Sequence, residues 1–136
     1  MTIRCRGVRG ATTCDENTRP AILAATRELL ERLIEANGLR AEDLASAIFT
    51  TTPDLNAEYP AVAARALGWT DTALLCGHEM AVPGGLQRCI RVLVHWNTER
   101  RADEVAHVYI RGAKGLRPDR AAALAAFQPP TADGAA

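Results

Sequence analysis

The chain has 136 residues, 48% of them hydrophobic and only 4% aromatic, with 16 basic and 16 acidic residues that cancel to zero formal charge. That length fits a single domain whose core rests on Leu, Ile, Val and Ala rather than on rings. Balanced charge gives no broad electrostatic reason to bind nucleic acid or an anionic membrane, and no window approaches the ~20 apolar residues of a membrane span.

Residues 3–12 predict a first strand, where Ile3, Cys5 and Gly7 alternate with Arg4, Arg6 and Val8. Asn17-Thr18 can cap a helix, with Pro20 in its first turn. Ile22, Leu23, Leu29, Leu30, Leu33 and Ile34 form one stripe at helical spacing, and Gly38 stops it, so a helix is expected over 19–37. Ala41-Glu42-Asp43 opens one helical turn, and 45–51 reads as a strand ending at Thr52-Pro53-Asp54. Tyr59-Pro60 starts a short Ala-rich helix to about 67, and 72–76 is a short apolar strand. Pro83-Gly84-Gly85 is expected to open another helix, with Leu86, Ile90, Leu93 and Val94 on one side and Arg91 within it. A last strand is expected over 104–110.

The order is β-α-β-α-β-α-β, with no internal repeat or linker. We expect one domain over 1–118, then a flexible Ala/Pro-rich tail over 119–136. Four strands and one long helix make a small core, so oligomerisation is expected on grounds of surface economy. The charged N-terminus lacks a following apolar run, which argues against a secretory signal and for the cytoplasm. Cys5, Cys14, Cys76 and Cys89 are then expected as thiols. Lys114 is the one lysine among the basic residues, which fits codon bias, arginines used as carboxylate clamps, or both.

Several chemistries fit poorly. Cys76, His78, Cys89, His95 and His107 are metal-type ligands, but their spacing matches no zinc arrangement. Cys76 and His78 lack a third orienting group for nucleophilic catalysis. Pro83-Gly84-Gly85 precedes no phosphate-binding motif. What remains is two cations, a carboxylate and soft polar groups: Arg9, Arg91, Glu79, Cys76 and Tyr109. They either pair with one another at the surface or hold a small anionic ligand that carries a hydroxyl, with arginines on its carboxylates and Glu79 on the hydroxyl.

Six segments carry a resemblance in order and spacing. They are Gly7-Val8-Arg9-Gly10-Ala11-Thr12-Thr13; Thr52-Pro53-Asp54-Leu55-Asn56-Ala57; Tyr59-Pro60-Ala61 with Arg65; Cys76-x-x-Glu79-Met80; Gly84-Gly85-Leu86 with Cys89-Ile90-Arg91-Val92; and His107-Val108-Tyr109 through Leu116-Arg117-Pro118-Asp119. Together they resemble the monofunctional chorismate mutases of the small trimeric α/β type, over nearly the whole chain. The resemblance implies an α+β fold: a mixed β-sheet with one long helix and shorter helices, in a homotrimer with a pseudo-barrel core. It implies rearrangement of chorismate to prephenate on the route to phenylalanine and tyrosine, with no cofactor and no metal. Arg91, Glu79, Arg9, Tyr109 and Cys76 would be catalytic. Substrate contacts would come from Arg9, Leu75, Cys76, Gly77, His78, Glu79, Arg91 and Tyr109 of one subunit and Tyr59, Ala61 and Arg65 of the next. Leu116 and Arg117 would lie at the mouth of the cleft. Val62 stands where the family can carry a lysine, Tyr59 replaces a Phe, and Gly77-His78 replace other residues, which leaves the principal groups intact. Two rival readings use the same arginines: a non-catalytic trimeric module for a carboxylated metabolite, and another small trimeric enzyme such as an imine deaminase.

Overall fold

The structure, a computed structural model, describes residues 2–116. The expected tail over 119–136 and the site candidate Arg117 lie outside the described residues. Among the described residues five strands form one sheet: β1 (Arg4–Thr13), β2 (Leu44–Thr51), β3 (Ala73–His78), β4 (Cys89–Thr98) and β5 (Val108–Tyr109). Two α-helices, α1 (Arg19–Asn37) and α2 (Ala61–Ala66), and 3-10 turns at Ala41–Asp43, Ala102–Glu104 and Arg111–Leu116 complete the fold. The sheet order is β3-β2-β4-β1-β5. β4 runs antiparallel to both β1 and β2, whereas β3 and β5 pair parallel at the edges, so the sheet is mixed as expected.

α1 follows its local signals. The Thr18 side chain accepts from the Ala21 amide at 3.3 Å, and Gly38 ends the helix in the left-handed region at φ 73°. Ile22, Thr26, Leu29, Leu30, Leu33 and Asn37 recur three and four apart and are all buried. Leu29, Leu30 and Leu33 pack on Val8, Phe49, Val92 and Val94 from the sheet. Gly10 lets the helix come close, because a Cβ there would sit 2.9 Å from Leu33 Cδ1. No helix among the described residues is long and apolar enough to cross a membrane.

Two expectations are corrected. The helix expected after Pro83-Gly84-Gly85 is absent; residues 89–98 form β4, at the centre of the sheet. Its buried positions are Ile90, Val92, Val94 and Trp96, a period of two rich in β-branched residues. Arg91 therefore stands on a strand and not in a helix. The last strand expected over 104–110 shrinks to Val108–Tyr109: Glu104 ends a 3-10 turn, and the Ala106 amide and carbonyl both bond the Asn37 side chain and not β1. The remaining boundaries shift by one or two residues, as with β3 ending at His78.

Candidate active site

Strand alternation assembles the charged groups. Val8 and Gly10 face α1, so Arg9 projects from the opposite side of β1. Antiparallel pairing sets Arg9 against Leu93, Ala11 against Arg91 and Thr50 against Arg91. Directly opposed residues share a face, which brings Arg9, Arg91 and Thr50 together on the side of the sheet that α1 leaves uncovered. Glu79 follows β3 directly, and its amide donates to Thr51 O at 2.8 Å, which anchors it beside the same row.

The Glu79 carboxylate lies 3.5 Å from Arg91 Nε and accepts from the Thr50 hydroxyl at 3.2 Å. Arg91 Nε is buried and has no hydrogen-bond partner among the described residues. Two positions earlier on β4, Cys89 is fully buried; burial pushes its thiol up, and the adjacent Arg91 charge opposes the shift. On the neighbouring row the Arg9 guanidinium carbon lies 6.0 Å from the centroid of the Tyr109 ring, at the outer edge of a cation–π contact. Arg9, Glu79 and Arg91 line a single open groove of about 690 Å³, walled by the loop from Met80 to Gln87.

That loop is pinned by a small network. Thr52 Oγ1 accepts from the Cys89 amide at 3.0 Å and donates to Asp54, and the Asp54 carboxylate accepts from the Arg88 amide at 3.0 Å. The Thr52 hydroxyl, with help from the Arg88 amide, holds the Asp54 carboxyl below the usual carboxylate range. Arg88 sits at φ 47°, a left-handed conformation that the network helps to hold. These bonds locate the start of β4, and hence Arg91 two and three residues further on. Thr50, Thr52 and Asp54 were not among the expected site residues. Thr52-Pro53-Asp54 is legible in the sequence as a turn, but not its bonds to residues 34 and 37 positions away.

The other expected residues lie elsewhere. Tyr59, Cys76, Gly77 and His78 line a second groove of about 390 Å³. The Cys76 thiol turns toward α2: burial pushes its pKa up, against the Ala61 amide and the Arg65 charge. Ala61 is buried and Arg65 exposed on α2, whereas Leu75 is 64% exposed on the edge strand opposite Ile48. Leu116 packs on the Ala11, Cys89, Tyr109 and Ala113 cluster. One chain thus gathers Arg9, Glu79, Arg91 and Tyr109, and presents Tyr59, Cys76, Gly77 and His78 in a separate groove.

The sequence pattern described as chorismate mutase type I matches residues 5–120. The chain belongs to the type I chorismate mutase family. Chorismate mutase AroH of Thermus thermophilus is 53% identical over 115 residues, which cover 84% of this chain and 94% of the relative. Chorismate mutase AroH of Bacillus subtilis (strain 168) is 44% identical over 115 residues, covering 84% and 91% respectively. A solved structure, the chorismate mutase from Clostridium thermocellum, superposes with a TM-score of 0.78 at 51% identity and covers 79% of this chain and 96% of its own. In this chorismate mutase the uncovered sheet face bears Ile48 and Leu75 at 36% and 64% exposure, side by side in the β2–β3 register and next to Leu93. That apolar row adjoins the Arg9 and Arg91 positions.

Proposed function

We propose that this isomerase, which converts chorismate to prephenate in aromatic amino-acid biosynthesis, works by presenting fixed cations to a folded substrate, with Arg91 at the bond that breaks. The observation that carries this reading is the Arg91 Nε, buried, beside Glu79 and lacking a hydrogen-bond acceptor among the described residues. Within one molecule a C–O bond of the enolpyruvyl ether breaks as a C–C bond forms, so no outside nucleophile or leaving group enters. Negative charge grows on the ether oxygen during that change. A guanidinium held beside it stabilises the transition state more than the ground state. Arg9 and Tyr109 would hold the side-chain carboxylate and keep the flexible chain in its compact form. Glu79, held by Thr50, would accept from the ring hydroxyl.

We also propose that the site is completed by a second copy of the chain, in a homotrimer. The support is the apolar row of Ile48, Leu75 and Leu93 beside the first groove, together with Tyr59, expected from the neighbouring subunit, lining the second groove and not the one that holds Arg9, Glu79 and Arg91. Tyr59, Ala61, Arg65, Cys76, Gly77 and His78 would then divide between subunits, with Leu116 and Arg117 near the cleft mouth. We assign residues 1–118 to this one catalytic domain, and we place the enzyme in the cytoplasm, where its four cysteines would remain free thiols.

The test is the loss of chorismate absorbance with purified protein, combined with a structure bound to a prephenate-like compound. Turnover well above the uncatalysed rate, with the Arg91 guanidinium at the bridging oxygen, is expected. A guanidinium turned away from that oxygen would overturn the mechanism. Full activity in a species shown by light scattering to be monomeric would overturn the shared site.

A further inference from the structure

Arg9 contributes its backbone as well as its side chain to this region. Its amide N–H donates to Nδ1 of His107 at 2.9 Å, across 98 positions of sequence. His107 immediately precedes β5, a two-residue strand paired among the described residues to β1, through Gly10 with Val108 and Ala11 with Tyr109. A parallel ladder this short has few backbone bonds of its own. One end is closed by the Ile110 amide donating to Ala11 O at 3.1 Å. At the other end the imidazole takes the Arg9 amide, where a longer strand would offer a carbonyl. Asn37 holds the preceding residue to α1, accepting from the Ala106 amide at 2.8 Å and donating to its carbonyl at 2.9 Å. Of these contacts, the His107 bond is the one made at Arg9 itself.

The strand that His107 leads into carries Tyr109, whose ring is the 6.0 Å neighbour of the Arg9 guanidinium. The Nδ1 bond thus couples the register of β5 to β1 at the residue whose side chain reaches the site. It requires a lone pair on Nδ1, so the ring in this arrangement is the neutral Nε2–H tautomer. We propose that His107 is a positioning residue for the substrate carboxylate: through its ring nitrogen it sets the spacing between the Arg9 guanidinium and the Tyr109 ring. This rests on the reading of Arg9 and Tyr109 as the carboxylate-holding pair.

The test compares His107→Leu, which removes the acceptor, with His107→Asn, whose side-chain oxygen can occupy the Nδ1 position, and with Arg9→Ala as reference. KM and kcat for chorismate and the thermal midpoint are measured for each. Loss of one such bond corresponds to about a 2- to 12-fold change in affinity. His107→Leu is therefore expected to raise KM by roughly that factor while kcat moves less than about 2-fold, and His107→Asn is expected to return KM most of the way to wild type. KM does not depend on how much of a sample is folded, so a lower thermal midpoint does not imitate this pattern. His107→Ala gives the same comparison without added bulk should the leucine variant fail to fold. A wild-type KM in His107→Leu, or an equal rise in His107→Asn, overturns the role of His107 provided Arg9→Ala raises KM. An unchanged KM in Arg9→Ala overturns instead the reading of Arg9 on which the proposal rests.

Discussion

Arg91 Nε lies 3.5 Å from the Glu79 carboxylate, a distance that gives Coulomb attraction without a hydrogen bond. Both side chains are roughly one-third exposed, at 28% and 32%. Glu79 thus offsets the charge of the guanidinium, while the Nε–H makes no hydrogen bond among the described residues. In the proposed mechanism a substrate oxygen in the groove would accept from this guanidinium as negative charge develops on it.

Replacing Arg91 by lysine keeps the charge and removes the planar fork. The expected result is a fall in kcat of about 10²–10³-fold with a smaller change in KM, measured by steady-state consumption of chorismate. A kcat near wild type would remove Arg91 from the breaking bond.

Glu79→Gln keeps the shape of the side chain but weakens it as an acceptor, and it removes the negative charge beside Arg91. Hydrogen bonds to charged groups contribute about 1.5–3 kcal/mol, so kcat/KM is expected to drop roughly 10- to 100-fold. The same substitution in a variant lacking the Thr50 hydroxyl, such as Thr50→Val, should produce less than the product of the two single effects, because Thr50 donates to Glu79. Independent, multiplying effects would show that Thr50 does not act through this carboxylate.

Gly10→Ala should destabilise the fold without touching a charged group of the site. The added methyl would meet Leu33 Cδ1 at 2.9 Å, Leu29 Cδ1 at 3.1 Å and Val92 Cγ1 at 3.3 Å, and both leucines are fully buried. Overpacking of this kind costs about 1–3 kcal/mol, readable as a lower denaturant midpoint at fixed protein concentration. An unchanged midpoint would mean that α1 can retreat from β1 at no cost.

The Asp54 network predicts a pH-dependent contribution to stability. Its carboxyl is held below the ordinary range mainly by the Thr52 hydroxyl and then by the Arg88 amide. A lowered folded-state pKa means the stabilisation is fully present above the unfolded value of about 3.9 and fades as the pH falls through the lower folded one. Asp54→Ala is expected to lose about 1 kcal/mol at pH 7, in the manner of a lost cap, and less as the pH drops below about 4. Chemical unfolding of both proteins at several pH values checks this, and a difference that stays constant into acid would rule the carboxylate out as the cause.

The sequence alone specified whatever depends on neighbours along the chain. Thr18, Pro20 and Gly38 bracket α1, and the spacing of Leu29, Leu30 and Leu33 marks its buried side. Those signals are local, so no partner was needed to read them. The six ordered segments from Gly7 to Asp119 likewise pointed to the family, and Arg9, Glu79, Arg91, Cys76 and Tyr109 stood out as chemistry-bearing residues. The run from Cys89 to Val94 reads as helical in the sequence and is a strand in the structure, because a short apolar stretch with one Arg suits a helix turn as well as a buried strand. Its neighbours decide the matter: with β1 and β2 on either side, a central strand pairs its backbone groups along both edges. Only that pairing placed Arg91 opposite Ala11 and Thr50, with Arg9 one row away and Glu79 within reach. Tertiary structure also separated Cys76 from Glu79, three residues apart, by turning the thiol toward α2 while the carboxylate joined the arginines. Register and facing are relations between distant segments, and they arise only when the strands meet.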